Sequence, residues 1–140
     1  MSGYLLDTNI ISALMRDPHG ACAARVCAVP EDALCTSEIV RGELQFGIEK
    51  KREVSPEKAG ILTYRLIRVF SRLTVHPIDS DVSLHYGRLR AALEKAGVTM
   101  GANDLWIASH ALAIGCVMVT DNVDEFARAP KLIVENWLRG

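Results

Sequence analysis

The chain has no surplus of charge of either sign: 16 Lys and Arg stand against 17 Asp and Glu in 140 residues, a net charge of -1. Nucleic-acid binders often carry an excess of cations, so this balance argues against tight nonspecific binding and leaves room only for a local basic face. Long apolar runs are missing too. The longest, residues 111–119, is broken by Gly115 and falls well short of the roughly 18 residues a membrane span needs. The first residues lack a basic region and a long apolar stretch, so no signal peptide is expected, and the protein is expected to be cytoplasmic with no membrane partner. The four cysteines, Cys22, Cys27, Cys35 and Cys116, show no C-x-x-C spacing and no matching histidine pair. That excludes the usual zinc frameworks, and the cysteines read as small buried hydrophobes. Internal repeats, linkers and low-complexity segments are also absent.

What is present is an ordinary globular composition, with 49% hydrophobic and 24% charged residues, which argues against extensive disorder. A chain of this length fits one domain over 1–140 and can bury about 68% of its unfolded surface. Residues 4–6 read as an apolar strand ending at Asp7, and 9–15 as a helix carrying Ile10, Ile11 and Leu14, stopped by Asp17-Pro18. A helix over 21–29, a strand over 33–36 and a helix capped by Ser37 follow. In that helix Ile39, Glu43 and Phe46 fall at i, i+4 and i+7, setting Glu43 on an apolar stripe. Residues 49–53 read as a charged turn, and Ser55-Pro56 starts a long helix to Leu73. Strand-like 74–78, a helix capped by Asp79 or Ser80 and ended by Gly97, a helix from Asn103 to Gly115, a strand over 116–120 and a final strand at 132–134 complete the pattern. Short apolar strands alternating with helices predict an α/β fold: a mostly parallel central sheet flanked by helices on both faces.

In such sheets ligands bind beyond the carboxyl ends of the strands, and Asp7 and Asp121 each follow a strand directly. With Glu43 and Asp104 they make four separated acids that folding can gather at one rim. Each has a plain structural reading as well. Asp7 and Asp104 are favoured at helix starts, and Asp121 suits a turn, with Asn122 and Asp124 capping a short helix. Glu43 is the exception, because a carboxylate on an apolar stripe needs an arginine, a proton or a cation, and Arg41 points elsewhere. Two carboxylates at ~4 Å repel by about 4 kcal/mol at an effective dielectric of ~20. A hard divalent cation such as Mg²⁺ relieves that strain and commonly sits between carboxylates and phosphate. His19, His76, His85 and His110 show no catalytic spacing. Arg65, Arg68 and Arg72 read as a solvated helix face, and Trp106 and Trp137 as packed rings.

The ordered segments Leu5-Leu6-Asp7-Thr8-Asn9, Arg41-Gly42-Glu43-Leu44, Ala102-Asn103-Asp104-Leu105-Trp106-Ile107-Ala108 and Val119-Thr120-Asp121-Asn122, with Phe126 and Glu135-Asn136-Trp137 beyond, resemble PIN-domain toxins of the VapC type over essentially the whole chain. The resemblance implies a PIN-like fold and a Mg²⁺- or Mn²⁺-dependent ribonuclease of a bacterial type II toxin-antitoxin pair. It also implies inhibition by a VapB-like antitoxin, usually a dimer or a hetero-oligomer with that antitoxin, operator DNA bound only through it, and structured RNA such as tRNA or ribosomal RNA as substrate. Asp7, Glu43 and Asp104 match the family's acidic positions and are the implied metal ligands, with Asp121 the fourth candidate catalytic acid. The fourth position departs from pattern. Many members read Thr, any residue, then Asp, which sets Asn122 where the last acid belongs and Asp121 one residue early.

The expected chemistry is in-line attack of an activated water on an RNA phosphodiester, with Mg²⁺ held by Asp7 and Asp104 and supported by Glu43. Two rivals stand beside it. One is a phosphatase with Asp7 as nucleophile, although such enzymes want an Asp two residues on and this chain has Asn9. The other is a non-catalytic phosphate-sensing or receiver-like domain, which usually carries paired acids after its first strand and a lysine after its last.

Overall fold

Every strand pairing is parallel in the computed structural model, which describes residues 3–139. The five strands are β1 (Tyr4–Leu6), β2 (Leu34–Ser37), β3 (Thr74–His76), β4 (Val117–Val119) and β5 (Val134–Glu135), in the order β3-β2-β1-β4-β5. Successive side chains of a strand point to opposite faces. Leu5 and Leu6 of β1 are both fully buried, as are Leu34, Cys35, Thr36 and Ser37 of β2, so both faces of the sheet are covered. Covering it are α1 (Thr8–Arg16), α2 (Ala21–Cys27), α3 (Glu38–Val54), α4 (Pro56–Phe70), α5 (Ser80–Ala96), α6 (Ala102–Ile114) and the short α7 (Val123–Phe126). The expected α/β architecture is present. Among the described residues no helix is long and apolar enough to cross a membrane.

Strand order places the site. β2 and β3 lie on one side of β1 and β4 and β5 on the other, so the winding reverses between β1 and β4, where such sheets open a crevice at their carboxyl ends. Leu6 pairs with Val119, and the Asp7 amide donates to the Val119 carbonyl at 2.9 Å. Asp7 and Thr120 therefore leave the sheet side by side. The core beneath them includes Ile10, Ile11, Val40, Ile107, Met118, Val119 and Phe126, all fully buried.

Several local expectations are corrected. Residues 49–53 continue α3 rather than turning, because Glu, Lys and Arg are good helix formers and Glu49 is held by Gln45 at 2.6 Å and by Arg52 at 3.0 Å along the helix. The break comes only at Ser55, extended at φ -151° because a proline follows. Ser55 closes α3 and caps α4 by accepting from the Lys58 amide at 3.2 Å. The buried stripe of α3 is Val40, Leu44 and Ile48, one residue on from the predicted one. Phe46 is consequently 64% exposed, and Glu43 sits at the edge of the core rather than within its stripe. β3 ends at His76, where its partner β2 ends at Ser37, and β5 forms at Val134–Glu135 rather than 132–134. Of the cysteines, Cys22, Cys35 and Cys116 are buried as expected, but Cys27 is exposed near the end of α2, with an Arg72 nitrogen 3.8 Å from its sulfur.

Candidate active site

Asp7 ends β1 and begins α1. It caps the helix by accepting from the Thr8 amide at 2.8 Å, as its plain structural reading holds, yet its second oxygen does more. Oδ2 accepts from the Thr120 hydroxyl at 2.7 Å and the Asn9 side-chain amide at 3.2 Å. Burial raises the Asp7 carboxyl above its ordinary pKa and the charge of Glu43 adds to the rise, against hydrogen bonds from Thr120, Thr8 and Asn9 that lower it.

Glu43 reaches the same rim from α3. Its Oε1 accepts from the Thr8 hydroxyl at 2.5 Å and its Oε2 from the Asn103 side-chain amide at 3.1 Å. Asn103 was expected to start α6. The helix instead begins at Ala102, with Gly101 as a cap that makes no side-chain bond, which frees the Asn103 amide to hold Glu43. Asp104, the next residue, accepts from the Asn122 amide at 3.3 Å. Its carboxyl is pushed up to about 8 by burial first, then by a hydrogen bond with Glu125 and by the charges of Asp7, Glu125 and Glu43. Asp7, Glu43 and Asp104 thus share one electrostatic neighbourhood.

Glu125 was missed by sequence reasoning. It lies on α7, and a Cβ built on Gly101 would meet its Oε2 at 3.4 Å and Asp104 Oδ2 at 4.0 Å. Both carboxylates therefore lie within ordinary contact distance of the start of α6. The available signal was its spacing of four from Asp121, which reads equally well as a surface acid paired with Arg128, and that pair exists at 3.7 Å. Asp121 is not brought to the other acids. Its Oδ1 takes the Asn136 amide at 2.9 Å and Arg139 at 3.2 Å, while its backbone amide donates to Asn9 at 2.8 Å. Asn136 and Arg139 hold the Asp121 carboxylate, while the Asn122 side-chain amide reaches Asp104.

A scan for known families matches the PIN domain over residues 4–132. The chain is 38% identical to Ribonuclease VapC2 of Rickettsia felis over 137 residues, covering 96% of this chain and 97% of that one. The chain belongs to the PIN-domain family, in its VapC branch. It is also 33% identical to the tRNA(fMet)-specific endonuclease VapC of Salmonella typhimurium, over 98% of this chain and 99% of that one. Among solved structures it is similar to VapBC2 from Rickettsia felis bound to a DNA fragment from their promoter, with a TM-score of 0.87, 35% identity, and coverage of 98% of this chain and 99% of that chain.

The donor set of this PIN domain suits a hard divalent cation. Every inward group is an oxygen or a carboxamide, which is the ligand chemistry of Mg²⁺ and Mn²⁺ rather than of zinc. No lysine or arginine pairs with Asp7, Glu43 or Asp104 among the described residues, so their charge is left for something else to neutralise. As placed, no three acidic, histidine or cysteine side chains among the described residues converge tightly enough to enclose an ion. Thr8, Asn9, Asn103, Thr120 and Asn122 stand between them and supply the hydrogen bonds instead.

Proposed function

We propose that this PIN domain, as one unit over 1–140, is a Mg²⁺- or Mn²⁺-dependent endoribonuclease toxin of a type II toxin-antitoxin pair. The observation that carries the metal-dependent chemistry is the gathering of Asp7, Glu43, Asp104 and Glu125 at one rim, held by Thr8, Asn103, Thr120 and Asn122, with no Lys or Arg paired to Asp7, Glu43 or Asp104 among the described residues. Asp104, Asp7 and Glu43 would hold the ion, with Glu125 replacing Asp121 as the fourth acid. A bound divalent ion lowers the pKa of its water and neutralises charge on the phosphate. The chain's residues set the stage for that chemistry. Asn103 and Thr8 fix both oxygens of Glu43, Thr120 and Asn9 fix Asp7, and the Asn122 amide orients Asp104 and offers a donor to the reacting water.

The Salmonella relative's name points to tRNA as the substrate class, and the VapBC complex among the solved relatives points to an antitoxin of the VapB type. Operator DNA would then be bound through the antitoxin, since this chain has a net charge of -1. An RNA substrate and an antitoxin partner are the support for a cytoplasmic protein that acts as a dimer or a hetero-oligomer. The phosphatase reading fares poorly, because such enzymes want a second Asp two residues after the first and this chain has Asn9, whose side-chain amide donates to Asp7.

The test is cleavage of total tRNA by the purified chain, with new 5′ ends mapped. Chelation by EDTA should abolish cleavage, and Mg²⁺ or Mn²⁺ should restore it. Cleavage that persists in EDTA would refute the metal-dependent reading.

A further inference from the structure

α3 carries Glu43, Phe46, Gly47, Lys50, Lys51 and Val54 at spacings of three and four, so they form one stripe along the helix. From first to last the stripe spans about 16 Å at the helical rise. It begins in the acid cluster and leads away from it. Three adjoining hollows follow this line. The first, about 390 Å³, lies between Glu43 and the start of α6 at Asp104. The second, about 370 Å³, shares Glu43 and runs between α1, α3 and α4 over Leu44, Ile48 and Leu62, with Arg16 and Arg65 on its walls. The third, about 350 Å³, shares Gly47 with the second and ends at Lys50, Lys51 and Val54.

The cations along this line, Arg16, Arg65, Lys50 and Lys51, are all exposed and pair with no carboxylate among the described residues. Glu49 is taken up by Gln45 and Arg52, and Glu53, three residues on from Lys50, forms no ion pair among the described residues. Phe46 is 64% exposed beside the glycine, with the Lys50 ammonium 5.4 Å from its ring centre. Gly47 itself has no internal reason to be small. A Cβ there would meet nothing within 4 Å, and glycine weakens a helix interior relative to alanine.

We propose that this stripe is the track for single-stranded RNA flanking the scissile bond, with Arg16, Arg65, Lys50 and Lys51 contacting phosphates and Phe46 stacking on a base. An exposed cationic groove with an aromatic platform is the chemistry that holds unpaired nucleic acid. Its continuity with Glu43 and Asp104 favours the substrate over a protein partner as occupant. The inference deepens the nuclease reading and rests on it.

The experiment measures binding of a fluorescein-labelled single-stranded oligoribonucleotide by anisotropy in EDTA, and KM and kcat for its cleavage in Mg²⁺. Arg16→Ala with Arg65→Ala, or Lys50→Ala with Lys51→Ala, should raise Kd and KM about tenfold and leave kcat within about twofold. The slope of log Kd against log salt should fall by about 0.7 for each phosphate contact removed. Phe46→Ala should weaken binding about fivefold or more with the slope unchanged. Gly47→Leu should keep or raise the melting temperature while raising Kd, which separates a blocked track from a damaged fold. Kd and salt slope at parental values in both double variants would overturn the proposal. So would loss of antitoxin capture with RNA binding intact, which would assign the groove to the protein partner. A parent that binds RNA with these dependences yet never cleaves it would uphold the track and refute only the nuclease reading.

Discussion

Asp7 and Asp104 meet at one rim, yet the fold treats them in opposite ways. Asp7 is 4% exposed and receives three hydrogen bonds, from Thr8, Asn9 and Thr120. Asp104 is half-buried and receives one long bond, from Asn122, while facing Glu125. Both carboxyls are raised by burial, but donors offset much of the cost at Asp7 and little of it at Asp104. The first aspartate is part of the scaffold as well as the site. The second is left short of donors, which is the condition under which a carboxylate gains most from a cation.

The widest gap between the two should appear on substitution. Asp104→Asn should lower RNA cleavage on the order of 10³-fold while the melting temperature stays level, because below pH 8 the Asp104 carboxyl already carries its proton and a neutral amide can take its place beside Glu125. A drop in melting temperature would mean that Asp104 is scaffold too. Asp7→Ala should lose activity and stability together. It strands the Thr8 amide, the Asn9 amide and the buried Thr120 hydroxyl, at a cost of about 1–3 kcal/mol, measurable by urea unfolding. A pH series sharpens the contrast. The folded pKa of Asp104, about 8, lies above its unfolded value of about 3.9, so its contribution to stability is full below that value and is lost as pH rises toward 8. Metal-free protein should therefore lose melting temperature over that window relative to Glu125→Gln, and Mg²⁺ should recover it. Identical pH curves for the two proteins would remove Glu125 from the site. The smallest effect belongs to Asp121→Asn, whose amide oxygen can still accept from Asn136 and Arg139. Cleavage should fall by no more than about tenfold, and a loss as deep as that of Asp104→Asn would return Asp121 to the catalytic set.

Where a residue's role followed from its place at the end of a strand or from an uncompensated charge, it was legible beforehand. Asp7 and Glu43 are such cases, and so is the break at Ser55-Pro56, which is local chemistry. Roles decided by distant partners were not. The Asp121 carboxylate is held by Asn136 and Arg139 from the last residues, while the Asn122 side-chain amide reaches Asp104. Glu125 reaches the site only because α7 folds back onto the start of α6, and nothing near it in sequence distinguishes it from a surface acid. The inward residues of α3 were misplaced by one position because Ile39 and Phe46 are as apolar as the Val40, Leu44 and Ile48 that tertiary packing selects.

The hydrogen bond between Thr120 and Asp7 joins residues 113 positions apart, and β1 has its β4 neighbour only once most of the polypeptide exists. A ribosome making this protein is thus not exposed to a finished nuclease until nearly the whole chain has been synthesised. Assembly order itself keeps the acidic rim incomplete until β4 has been made.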